Sequence, residues 1–311
     1  MMTIQQMTRH ITERQHFKSI QDYEDFTKAF LDFVESGLQA RIVCQNEVNY
    51  QFFQYKEDCA FNISRPINTD LFGFAESFEK SLTIFHDVLK ILKRRKLPNA
   101  STRQVFNSVV YTLQQSIGVA LDALPASSAN QAKKINGDLF ERLVRLLMTG
   151  VGIDCSTGVV QVPITDSAGN VLHRINYQHD LIARKDGQIK FLGSVKTSSK
   201  DRIDKIFVDK LLYSRFTGND TPYIAVFLND VQRAKSTTFG KQKVNSTFLA
   251  GHFKAYTLKL TSMDGVFYCD LRPNMRSDPF LAEHIHGIDH LFYTAEEAPR
   301  RVSTRVRSVR P

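Results

Sequence analysis

Tryptophan is absent from the 311 residues, and cysteine occurs only four times. Aromatic packing and stacking therefore fall to 23 Phe and 10 Tyr. Cys44, Cys59, Cys155 and Cys269 stand far apart, with no CxxC pair and no zinc-ligand spacing. That excludes a disulfide scaffold and a zinc ribbon, and points to reduced thiols in a cytosolic protein. No apolar run approaches the roughly 20 residues that span a bilayer, and the opening MMTIQQMTRHITERQ has no apolar signal core. Neither a membrane span nor secretion is indicated. Acidic residues are in deficit, 32 Asp and Glu against 41 Lys and Arg, for a net charge of +9 and a pI of about 9.3. Such a balance suits a polyanionic partner without requiring one. Internal repeats and low-complexity blocks are also missing.

What is present reads as a globular chain, 42% apolar and 23% charged, long enough for one large domain or two ordinary ones. Residues 1–130 read as mainly helical. Phe26, Phe30, Phe33 and Val34 recur at helical spacing before Gly37, and Phe78, Leu82, Phe85, Leu89 and Leu92 form a second stripe. That stripe ends in Lys93-Arg94-Arg95-Lys96, a solvated helix end favoured by the helix dipole. Residues 42–63 mix β-formers with polar residues and stay ambiguous. A helix is expected over Ser101–Leu124, stopping at Pro125, and the small residues from Ala126 to Ala132 form a linker. After it the texture alternates between helix and strand. Asp138–Met148 reads as an amphipathic helix, Ser167–Asn170 and Asp186-Gly187 as hairpin turns, and Thr221–Leu228 as a buried central strand, with Val266–Leu271 another. Arg300–Pro311 carries five arginines and no acid, a tail suited to DNA phosphates.

The stretch Gln178–Lys210 concentrates the chemistry. Asp180 at a strand start and Lys196 on the neighbouring strand suit metal-dependent phosphodiester cleavage. Carboxylate oxygens suit a hard ion such as Mg²⁺, and a lysine orients water and offsets developing charge. Strand parity sets a condition. A two-residue turn at Asp186-Gly187 places Asp180 opposite Gly193 and Lys196 on the other face; a three-residue loop or a bulge brings the two onto one face. On the second strand Ile189, Phe191, Gly193 and Val195 are expected to face the core, with Lys190, Leu192, Ser194 and Lys196 toward the site. Glu141, on the polar face of the preceding helix, either joins the site or pairs with Arg145. Ser198 and Ser199 supply N-caps to the next helix. Lys200-Asp201-Arg202 at its start presents donors and an acceptor to base edges, arginine to guanine and carboxylate to cytosine, or pairs locally with Asp204 and Lys205.

Asp180, Ser194-Val195-Lys196, Lys200-Asp201-Arg202 and Asp209 together resemble the PD-(D/E)xK nucleases. More narrowly, they resemble the type II restriction endonucleases that read CCGG, CCNGG or CCWGG cores. In that group Ser replaces the acid before the catalytic lysine, and the missing carboxylate comes from the following helix, thirteen residues on, as Asp209 does here. The triplet begins four residues after Lys196, the spacing of the interrupted class. His179 stands where the family has Pro, Asp209 where it has Glu, and Lys200 where it has Arg; a lysine cannot make the planar two-bond fork of an arginine. The match covers Gly137–Lys210.

The resemblance implies an α/β fold with a restriction-endonuclease-like mixed central sheet flanked by helices. It divides the chain into a helical region at 1–130 for dimer or DNA contacts, a catalytic domain at 131–298 and a basic tail at 299–311. It implies Mg²⁺ bound by Asp180, Asp209 and Glu141, with Lys196 positioning the water and Lys200, Asp201 and Arg202 reading bases. The implied partners are double-stranded DNA cut to 5′-phosphate ends at a CC(N/W)GG-like palindrome, a homodimer, and a host DNA methyltransferase in a prokaryotic cytoplasm. Two other readings stay open: a repair or structure-specific nuclease of the same superfamily, and a non-catalytic basic DNA-binding protein. Elsewhere His284, His286 and His290 are surface histidines before they are a metal cluster. Phe52, Phe53 and Tyr55 are core before they are a platform for a flipped base.

Overall fold

The computed structural model describes residues 2–55, 63–200, 202–234 and 242–294. Helices α1 (Ile4–Thr12) and α2 (Ile20–Ser36) open the chain. Each begins with a capping box, Thr3 with Gln6 and Ser19 with Asp22, that satisfies main-chain N–H groups otherwise left without partners. Strands β1 (Leu38–Val43), β2 (Tyr50–Tyr55) and β3 (Ile67–Asn68) pair antiparallel in a small sheet, which resolves the ambiguous segment. Helices α3 (Ala75–Lys93), α4 (Ala100–Leu121) and α5 (Ala129–Gly150) follow. The expected linker is instead a short 3₁₀ turn at Ala126–Ser128 running into the first turn of α5.

The remaining elements are β4 (Asp154–Thr165), β5 (Val171–Lys185), β6 (Gln188–Ser198), α6 (Ile203–Thr217), β7 (Tyr223–Asn229), the short pair β8 (Val231–Arg233) and β9 (Val244–Ser246), α7 (Ala250–Lys259), β10 (Gly265–Tyr268), α8 (Pro273–Ser277), α9 (Pro279–His284), β11 (Ile285–Gly287) and α10 (Asp289–Thr294). Six of them make a mixed sheet in the order β11-β10-β7-β6-β5-β4. The β4–β5–β6 side is antiparallel and the β6–β7–β10–β11 side parallel. Among the described residues no helix is long and apolar enough to cross a membrane.

Strand alternation divides the core between the two faces of this sheet. On β7, Ile224, Val226 and Leu228 join a large apolar cluster with α1–α5, while Tyr223, Ala225 and Phe227 join a second cluster with α6 and α7. All of β7 is buried, as its unbroken apolar run requires. The larger cluster runs from Ile4 to Phe292 and includes Leu139, Leu143, Leu181 and Val195, so the N-terminal helices and one face of the sheet share one core. Two covered faces also explain Leu192. It is fully buried in the second cluster rather than turned toward the site, and Ile189 lies on that same side.

The small sheet is tied to the end of β10 through Asp270, which is 2% exposed. The Tyr50 hydroxyl and the Asn68 amide donate to its two carboxylate oxygens at 2.7 and 2.8 Å. Burial nevertheless raises the carboxyl from 3.8 to about 6. An acid raised in the folded state favours folding while protonated, so this contribution is present below the unfolded pKa and is lost as pH climbs through the folded one. The difference is on the order of 3 kcal/mol. Asp270→Asn, which carries no charge, is therefore expected to flatten the fall in thermal stability between pH 4 and about 6. A wild-type-like pH dependence of Tm in that variant would contradict the assignment.

Candidate active site

The β5–β6 turn has Asp186 and Gly187 at φ of 52° and 75°, both left-handed, as a two-residue type I′ hairpin turn requires. It pairs Lys185 with Gln188. Continued unbroken, that register would set Asp180 and Lys196 on opposite faces. The ladder slips, however, between Arg184–Ile189 and Ala183–Phe191, leaving Lys190 as a bulge and bringing Leu181 opposite Gly193. The bulge puts Asp180 and Lys196 on one face. A second irregularity lies in the β4–β5 ladder, where Ser156 pairs with Ile182 but Gly158 with His179, so Asp180 and Leu181 together oppose Thr157. Both departures re-aim side chains at the same spot.

The Asp180 carboxylate accepts a hydrogen bond from the Lys196 ammonium and another, at 2.9 Å through Oδ2, from the Val195 N–H. Lys196 Nζ also lies 3.4 Å from Oε1 of Glu141, which α5 brings in. Arg145, one turn further along α5, donates to the Asp180 main-chain carbonyl at 3.3 Å. Glu141 therefore pairs with Lys196 and not with Arg145. Burial raises Glu141 to about 7, with the Asp180 charge adding to it and Lys196 opposing. Asp209, on α6, is raised as well, chiefly by burial, and it feels the charges of Lys205, Lys196 and Asp180. It bonds to none of them among the described residues.

Two carboxylates, Glu141 and Asp180, on one ammonium, with the charge of Asp209 acting from α6, leave excess negative charge in a half-buried place. Hard oxygen donors of this kind suit Mg²⁺, and an added cation would offset the Asp180 charge that adds to the effect of burial on Glu141. As they stand, among the described residues no three His, Cys, Asp or Glu side chains are grouped closely enough to hold an ion. The Lys196 ammonium lies between two of them.

His179 is buried and points away from this centre. Its ring meets Tyr177, Tyr213 and Tyr223, with Nδ1 3.5 Å from the Tyr223 hydroxyl, and burial pushes it down to about 4. Ser194 likewise faces Tyr223, its Oγ 3.1 Å from the phenol oxygen. Tyr223 carries no spacing signal that would have marked it beforehand, and the spacing of Arg145 marked it only as a partner for Glu141.

Lys200 and Arg202 stand exposed in the turn between β6 and α6, and Asp201 lies outside the described residues. The serines do not cap α6: Arg202 occupies the N-cap with no side-chain bond, and Ser198 Oγ instead accepts from the Lys200 N–H at 3.2 Å. Phe52, Phe53 and Tyr55 are fully buried in the core. His286 and His290 stack at 4.8 Å, while His284 lies on Phe280 at 4.5 Å, so the three do not converge. The Arg300–Pro311 tail lies outside the described residues.

No protein-family model matches the chain, and no curated protein is a significant match. Among solved structures, the type IIP restriction endonuclease Kpn2I superposes with a TM-score of 0.65 at 14% identity, over 94% of this chain and 95% of that one. Ecl18kI, metal-depleted and in complex with uncleaved DNA, aligns over 97% of this chain and 87% of its own at 13% identity, with a TM-score of 0.36. PspGI in complex with substrate DNA aligns over 72% of this chain and 91% of its own at 10% identity, also at 0.36. Two scores of 0.36 carry no argument, but the similarity to Kpn2I extends over nearly the whole of both chains. With its mixed central sheet and flanking helices, this chain has the fold of a restriction endonuclease.

Proposed function

We propose that this chain is a type II restriction endonuclease, a Mg²⁺-dependent, site-specific deoxyribonuclease acting on double-stranded DNA. The observation that carries the reading is the bulge at Lys190, which places Asp180 and Lys196 on one face beside Glu141. A plain hairpin has no need of that device. Asp180, Asp209 and Glu141 would hold the metal, which when bound polarises the scissile phosphate and activates water. Lys196 orients the attacking water and offsets the negative charge that builds on the phosphate oxygens. In-line attack leaves a 5′-phosphate and a 3′-hydroxyl. Lys200, Asp201 and Arg202 read G·C pairs from the major groove at a CC(N/W)GG-like site. A palindrome read by one such turn per half-site calls for a two-fold homodimer, and a restriction enzyme of this kind is accompanied by a methyltransferase that protects host DNA.

Digesting a sequenced plasmid with purified protein, with Mg²⁺ or with EDTA, and mapping every end tests this. Discrete cuts at one CC…GG palindrome only with Mg²⁺ are expected. Scattered or structure-dependent cuts would transfer the chain to repair-type nucleases, and Mg²⁺-independent binding without cuts to the DNA-binding proteins. Arg202→Ala is expected to relax discrimination at one guanine by roughly 10- to 100-fold, the worth of a bidentate arginine–guanine pair. Cleavage rates on sites substituted at that base check it, and unchanged discrimination would remove Arg202 from base reading.

A further inference from the structure

The turn that carries Lys200 and Arg202 hangs on Ser199, which is fully buried. The Ser199 N–H donates to the Asn229 carbonyl at the end of β7 at 3.3 Å, and its own carbonyl accepts from the Arg202 N–H at 3.2 Å. Its hydroxyl lies 3.3 Å from the hydroxyl of Thr247, just past β9. Thr247 is itself held twice by Asp230, whose carbonyl accepts from the Thr247 N–H at 2.6 Å and from its hydroxyl at 2.8 Å. Since the Thr247 proton is committed to that carbonyl, the Ser199 hydroxyl is the donor between the two. Asp230 is fully buried, and its carboxylate accepts from the Ser246 hydroxyl at 2.5 Å. The network thus runs from the β7–β8 junction through the end of β9 into the turn. Lys200 and Arg202, by contrast, make no side-chain bond among the described residues. Their placement is set by the main chain beneath them.

We propose that Ser199 and Thr247 are positioning residues for base discrimination: their hydroxyl-to-hydroxyl bond fixes the turn from which Lys200 and Arg202 reach the base edges. This rests on the chain being a site-specific endonuclease. Base reading by direct hydrogen bonds tolerates little displacement, because a bidentate contact is lost when its donors shift out of line. The catalytic group Lys196 sits within β6, held between Asp180 and Glu141, and among the described residues it makes no bond to Thr247. Discrimination and catalysis are therefore separable at this bond.

The test compares kcat and KM on the mapped site and on sites with one base pair changed, for wild type, Thr247→Val and Thr247→Ser. Thr247→Val, which removes the hydroxyl's bonds to Ser199 and to the Asp230 carbonyl, is expected to lower the ratio of kcat/KM between the two sites by about tenfold. Ser199→Ala, which leaves the Asp230 bond in place, is expected to lower it in the same direction. The kcat of Thr247→Val on the intact site should stay within about threefold of wild type. Thr247→Ser, which keeps the hydroxyl, should restore the ratio. Should Thr247→Val fail to fold, Ser199→Ala removes the other half of the bond and is read in its place. Unchanged discrimination in the hydroxyl-free variant overturns the proposal while leaving the nuclease reading intact. An equal loss on every sequence overturns it too, since that marks a merely structural contact. A wild-type protein that cuts no discrete sequence removes the nuclease reading and this inference with it.

Discussion

Lys196→Ala is expected to cut DNA at least about 10²- to 10³-fold more slowly than wild type while still binding it, the loss seen when one preorganised electrostatic donor is removed. The ammonium sits between the carboxylates of Asp180 and Glu141, and no other lysine or arginine side chain bonds either carboxylate among the described residues. Alanine removes the group that orients water and leaves the two acids facing each other. Stability should change much less. The Lys196 side chain is 31% exposed, and Glu141, already raised to about 7, can take up a proton once the ammonium is gone, which limits the cost of leaving the two acids together. Activity and folding therefore part company in this variant, which makes the result readable. Cleavage assays beside gel-shift binding and a melting curve check it. A variant that cuts at the wild-type rate would sink the assigned mechanism, and one that no longer binds would place Lys196 in recognition instead.

Much of this site was legible because its elements announce themselves locally. Asp186-Gly187 is a turn pair that favours two left-handed residues, and β7 is an apolar run with no room for solvent. The parity condition could be stated beforehand because side chains alternate along a strand. The bulge that meets it was not legible. Lys190 lies in a run where polar and apolar residues already alternate, so skipping it leaves no mark on the pattern. The same slip turned Ile189 toward Leu192, against its expected face. Strand β2 hid for a different reason. Tyr50, Gln51, Phe52 and Phe53 are all buried, so there is no inside and outside for the sequence to alternate between. The serines before α6 read as caps by residue type, yet Ser199 is turned inward to Thr247, 48 residues away, a partner no local rule can supply. Nor can a local rule supply the partners of the buried Asp230 and Asp270, which arrive from β2, β3 and β9.

Asp180→Asn is expected to abolish Mg²⁺-dependent cleavage, by roughly 10³-fold or more, with little effect on the fold, because the exchange separates two tasks of one side chain. The first is structural. Asp180 Oδ2 accepts from the Val195 N–H at 2.9 Å and so closes the β5–β6 pair just past the last regular ladder partners, Leu181 and Gly193. An asparagine carbonyl oxygen can accept that bond at the same place. The second task is electrostatic, and the amide cannot perform it. A neutral side chain loses its ion pair with Lys196 and offers a divalent cation a much weaker ligand, in a centre where Glu141 would be the one remaining acid bonded to Lys196. Calorimetric titration with Mg²⁺ or Mn²⁺ should accordingly show weaker binding in the variant, alongside the lost cleavage and a nearly unchanged melting temperature. Full cleavage would exclude Asp180 from the chemistry. Unfolding without loss of metal affinity in the residual folded fraction would mean that the Val195 bond, and not the charge, is what this position supplies.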